Sequence, residues 1–145
     1  MIRTTWLYAL VLFSITLIHS GVLAEISEQE AVESAHKAIA KFGVLPKGWT
    51  FHVEKDLQRW ESLKRAWEES SKTEKQLGRA DTYFGPSLVR MESVMRGRNV
   101  WTVVYKLIIP PGQRSLHPNA MVFVDADSGS ALALIEPEGS AQFPN

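Results

Sequence analysis

The stretch from Val100 to Ile109 constrains the fold of this chain most strongly. Trp101, Val103, Tyr105, Leu107 and Ile109 are apolar at every second position, the period of a β-strand. Val100, Val104 and Ile108, on the alternate positions, are apolar too. Such a strand needs cover on both faces, so it belongs in the interior of a sheet. Pro110-Pro111-Gly112 ends it, because proline cannot donate to a ladder.

Other segments supply its neighbours. Trp49 to Glu54 alternates, with Trp49, Phe51 and Val53 on one side and Thr50, His52 and Glu54 on the other. Leu88 to Arg96 is expected as a strand with Val89, Met91 and Met95 on a common face, turned at Gly97-Arg98-Asn99. Ala120 to Asp125 and Ser130 to Ile135 make a hairpin across the turn Asp125 to Gly129. There Asp125 is suited to accept backbone N–H groups and Gly129 to take positive φ. The tail from Glu136, with Pro137, Gly139 and Pro144, is expected to be loose.

Two helices are expected. Ser27 and Glu30 have the spacing of a capping box. Ala31, Val32, Ala35, Ala38, Ile39 and Phe42 follow at helical spacing, before Gly43 as a C-terminal cap and Pro46. The second helix runs from Asp56 to about Gln76, with Leu57, Trp60, Leu63 and Trp67 as a narrow apolar stripe. Glu61 with Arg65, and Lys64 with Glu68, are spaced to support it.

Helix, strand, helix and then consecutive strands joined by short turns is an α+β pattern. The expectation is an antiparallel sheet of about four strands, with the N-terminal helix packed on one face. The amphipathic helix falls within an insertion at about 55–83, inside a single domain spanning 25–135. Trp101 and Tyr105 should lie against Ala35, Ile39 and Phe42.

The N-terminal residues have the form of a cleavable secretory signal. Arg3 precedes an apolar run from Trp6 to Ile18, shorter than the roughly 20 residues of a spanning helix. Val22 and Ala24 place the cut between Ala24 and Glu25. An exported protein, periplasmic or secreted and free of the membrane after cleavage, is therefore expected. The chain has no cysteine, so packing rather than disulfides must hold it together. Without Arg3, fifteen basic residues stand against sixteen acidic ones. That balance does not suggest nucleic acid or an anionic membrane as partner.

Three stretches share a family's pattern: Ile26-Ser27-Glu28-Gln29-Glu30-Ala31 opening a helix, the strand Val100-Trp101-Thr102-Val103-Val104-Tyr105, and Val122-Phe123-Val124-Asp125 running into Ala126-Asp127-Ser128-Gly129. In this order they resemble the PepSY and PepSY-like domains of exported bacterial proteins. The resemblance covers most of the chain after residue 24, apart from Asp56 to about Tyr83. It implies a cystatin-like helix-on-sheet fold and a non-catalytic module, in some members a restraint on a protease. It carries over no catalytic residue.

Asp125, Asp127, Gly129 and Glu136 suggest a calcium loop, but the glycine falls one place early and Ser130 takes the sharp-turn position. His36, His52 and His117 match no zinc spacing. Ser87, His117 and a carboxylate lack a nucleophile elbow. No catalytic set, metal or cofactor is expected. Arg90, Arg96 and Arg98 could meet an acidic partner, although strand arginines commonly guard sheet edges. Leu57, Trp60 and Trp67 are the candidate partner-binding residues, since buried aromatics dominate hot spots. Their stripe packs either on another chain or on the second face of this chain's own sheet, where Val100, Val104 and Ile108 offer a landing site. The sheet is the expected answer, because an exposed stripe with two tryptophans lowers solubility.

The leading functional expectation is a binding module for a protein or peptide, modulating a protease or other envelope protein. A periplasmic immunity or antitoxin-like protein that binds a toxin is the first alternative. A small ligand carrier or enzyme using a concave sheet is the second.

Overall fold

The computed structural model describes residues 25–45, 47–76, 85–114, 119–137 and 139–144. The proposed signal segment and its cleavage site, and the loop with His117, lie outside them. The order is α1 (Glu28–Phe42), β1 (Thr50–Arg59), α2 (Trp60–Gln76), α3 (Gly85–Met95), β2 (Asn99–Ile108), β3 (Asn119–Asp125), β4 (Ala131–Ile135) and β5 (Ala141–Gln142). The fold is α+β. The five strands form one antiparallel sheet in sequence order, β1-β2-β3-β4-β5.

α1 has the expected ends. The Ser27 hydroxyl accepts from the Glu30 N–H, and the Glu30 carboxylate accepts from the Ser27 N–H at 2.8 Å. The Ser27 hydroxyl also donates to that carboxylate at 2.7 Å, and this bond first, then the one from the Ser27 N–H, holds the Glu30 carboxyl below its usual range. Gly43 closes the helix at φ 63°, giving its N–H to Ile39 O. Ala31, Ala35 and Ala38 are buried. Their small side chains let the helix sit close on Val103, Tyr105, Val122, Val124 and Leu134. Tyr105 is fully buried, whereas Trp101 is only partly so, at the margin of this cluster. Its indole N–H donates to Ile26 O.

The second face is covered by α2 and α3. Trp60, Met91 and Met95 pack on Val100, Phe123, Ala133 and Ile135, all buried. Among the described residues the cover reaches only one end of that face, and Ile108 stays 59% exposed.

Three segments depart from the sequence expectations. Leu88 to Arg96 lies mainly in helix α3, not a strand. Met91 and Met95 are one helical turn apart and share a buried face, while Val89 is 80% exposed. Pro86 sits in the first helical turn, where a missing N–H costs nothing. β1 continues to Arg59, so Leu57 is a strand residue opposite Trp101 rather than part of the helical stripe. α2 starts at Trp60, whose N–H is taken by Arg98 O at 3.0 Å. The segment expected to be loose forms β5, with Leu134 opposite Gln142 and Ile135 opposite Ala141. Phe143 then packs on the second cluster beneath the Arg90 guanidinium, 4.4 Å from its ring centre.

Candidate partner-binding edge

Trp60 has no exposed surface. Its ring meets Trp67 edge-on at 5.8 Å, and Trp67 meets Phe123 in the same way at 5.7 Å. The Trp60 indole N–H donates to Glu92 at 2.6 Å, and Arg96 donates to the same carboxylate at 2.9 Å. With Lys64 nearby, these donors hold the Glu92 carboxyl below its usual range, the indole bond contributing most. The tryptophans thus tie α2 to α3 and to the sheet. Of the landing residues named from sequence, Val100 is covered, Val104 is partly buried and Ile108 is exposed.

The β3–β4 turn is built around Asp125, which is 2% exposed. Its carboxylate accepts from the Asp127 N–H at 3.0 Å and pairs with Arg98. Gly129 lies at φ 72° and returns its N–H to Asp125 O. Asn99 O accepts the Ala126 N–H and Ala126 O accepts the Ile26 N–H, so the turn also anchors the start of the domain.

The three arginines all have internal tasks: Arg90 covers Phe143, Arg96 bonds Glu92 and Arg98 pairs with Asp125. Arg90 lies on α3, and Arg96 and Arg98 in the turn that follows it, not on an exposed strand. His36 is exposed on α1 with its ring against Tyr105, and His52 is exposed on β1. Ser87 is in α3. Among the described residues no three His, Cys, Asp or Glu side chains are grouped to hold a metal ion. No helix among them is long and apolar enough to cross a membrane.

The surface with most to offer a partner is β1. It is ten residues long, seven of them exposed. Among the described residues it pairs with β2 alone, so its outer backbone groups have no strand partner there. At the other rim β5 has two residues. Along β1 the odd residues Phe51, Val53, Lys55 and Leu57 face α1, and the even residues His52, Glu54 and Asp56 face the other way. Lys55 is bonded to Glu28 at 2.7 Å and Glu54 to Lys106 at 2.6 Å. Leu57, one of the three residues singled out from sequence, belongs to this edge. Trp60 and Trp67 do not.

The strand expected from Trp49 to Glu54 thus runs on through the charged residues Lys55 and Asp56, and the sequence signal for this is Leu57, which returns an apolar side chain in the register of Phe51 and Val53. A partly exposed groove of about 480 Å³ also lies between α2 and α3, lined by Lys64, Leu88, Val89, Glu92 and Arg96. Comparison with family models, with curated proteins and with solved structures finds no match for this chain.

Proposed function

We propose that this chain is an exported, non-catalytic binding module whose docking element is the free edge of β1. It takes up an extended segment of a protein or peptide by strand addition, and so modulates a protease or another envelope protein. The observation that carries this reading is the ten-residue edge strand with most of its side chains exposed. An added strand gains a row of backbone hydrogen bonds for affinity, and alternate side chains supply specificity. Proteins usually shorten, cover or bulge such an edge. Here the register with β2 is regular along the full length.

Export is supported by the form of residues 1–24, and the non-catalytic reading by the resemblance to PepSY domains. The test is a photoreactive residue placed at Lys55 and, separately, at Val89 in the helix groove, in the protein expressed with its signal. Adducts at Lys55, identified by mass spectrometry, are the expected result. Adducts confined to Val89 would move the binding surface to α2–α3 and overturn this reading of the edge.

A further inference from the structure

We infer that the strand accepted by β1 is β1 of a second copy, paired antiparallel about a twofold axis through Val53. This rests on the proposal that the β1 edge is the docking element, and in it a second copy holds that edge until a segment of another protein takes its place. The argument is side-chain self-complementarity, without like charges opposed, along a strand whose register with β2 and facing are known.

In an antiparallel pair, residues directly opposite share a face of the sheet, so a twofold axis between two β1 strands must pass through one residue and its own copy. Each possible centre then fixes every pair. Centred on Glu54, the strand sets Glu54 against Glu54. Centred on Lys55, it sets Lys55 against Lys55 and Glu54 against Asp56 twice. Centred on Asp56, it sets Asp56 against Asp56, and centred on Leu57, it sets Lys55 against Arg59 twice. Like charges directly opposite are destabilising.

Val53 is the centre of greatest overlap that is free of such clashes. Within β1, on the α1 side, Val53 meets Val53 and Phe51 meets Lys55. On the other side His52 meets Glu54 and Thr50 meets Asp56. Every pair is apolar, aromatic with cation, or donor with carboxylate.

The structure adds two points. Phe51 is 38% exposed at this rim, and the stem of Lys55 from the second copy would lie over it. Among the described residues Asp56 has Gln58 as its one side-chain partner, and it would receive the Thr50 hydroxyl. The result is a continuous sheet of ten strands with both long edges consumed. Only the two-residue β5 strands remain at its rims, which also answers the hazard of an open edge.

The absence of native cysteine allows a direct test. Only a residue on the axis meets itself. Single variants His52→Cys, Val53→Cys, Glu54→Cys and Lys55→Cys, with Arg59→Cys as an exposed control, are oxidised and run without reductant. Thermal melting of each confirms that it is folded. Val53→Cys should form covalent dimer about tenfold faster than the control, through the raised local concentration of its twin. Mixing Phe51→Cys with Lys55→Cys should give a heterodimer, although neither alone should. Sedimentation of the unmodified mature chain should show a concentration-dependent dimer. Fastest self-crosslinking at another position, or a monomer at every concentration, overturns the inference. The photoreactive Lys55 variant separates the two failures. Adducts with a different protein would leave the binding reading standing without the dimer, and no adduct at the edge would remove both.

Discussion

The two faces of the sheet are covered by different means. On one, α1 sets small residues, Ala31, Ala35 and Ala38, against the strands. On the other, α2 and α3 bring large ones, Trp60, Met91 and Met95, over Val100, Phe123, Ala133 and Ile135. The first face is held by close approach of backbone to backbone. The second is held by a few bulky side chains and one shared carboxylate, Glu92. A face built on large residues concentrates its stability in few positions, whereas one built on alanines spreads it along the helix and into its caps.

The largest expected effect follows from that concentration. Trp60→Ala should cost about 3–5 kcal/mol, because the ring is fully buried and braces Trp67, and the melting temperature should fall accordingly. A loss below about 1 kcal/mol would mean that α2 is not seated as described.

The α1 face holds one misfit, the buried Tyr105 hydroxyl, which has no hydrogen-bond partner among the described residues. Tyr105→Phe should therefore be neutral or stabilising by about 1–2 kcal/mol. Burial also pushes the phenol up to about 12 from an ordinary 10.0. Its folded value is raised, so the associated stability is intact below pH 10.0 and is lost as the pH climbs toward 12. Alkaline unfolding followed by circular dichroism should be less steep in Tyr105→Phe. Equal steepness would show the phenol to be solvated.

Ser27→Ala removes the capping box and should cost about 1 kcal/mol, spread over α1 with the sheet left intact. Hydrogen exchange should accelerate in the first turn of α1 and not in α2. General acceleration would contradict the division between the faces.

The smallest effect is an acid one, on the second face. The Glu92 carboxyl is lowered by Trp60, Arg96 and Lys64. Its contribution is present above the unfolded carboxyl value of about 4.3 and is lost as the pH falls through the lowered folded value. Tryptophan fluorescence should report loosening of α2–α3 at acid pH, and Glu92→Gln should blunt that change. An acid response unaltered by Glu92→Gln would place its source elsewhere.

The same contrast explains what could be read in the residues themselves. α1 announces itself locally, through Ser27, Glu30 and Gly43, and the β3–β4 turn through Asp125 and Gly129. β2 does so by strict alternation. The second face depends on partners distant in the chain. Met91 and Met95 suit a strand's alternation as well as a helix turn, and only the sheet beneath them selects the helix. Gln142 and Phe143 are unremarkable until β4 offers an edge and Arg90 a lid. The β1 edge is half legible. Its first residues alternate plainly, but Glu54 to Asp56 take on meaning only when β2 shows that they are paired.

The anchoring of Ile26 has a consequence for timing. Its N–H reaches Ala126 O, a hundred residues further along the chain, and α1 rests on β2, β3 and β4. During vectorial emergence from the N-terminus, α1 is the first of these elements to appear and has no surface to settle on until the β3–β4 turn has followed. Closing so long a loop before any reward is slow, and meanwhile an apolar stripe stands open to aggregation. In a chain of this topology the apolar face of α1 therefore waits longest for its cover.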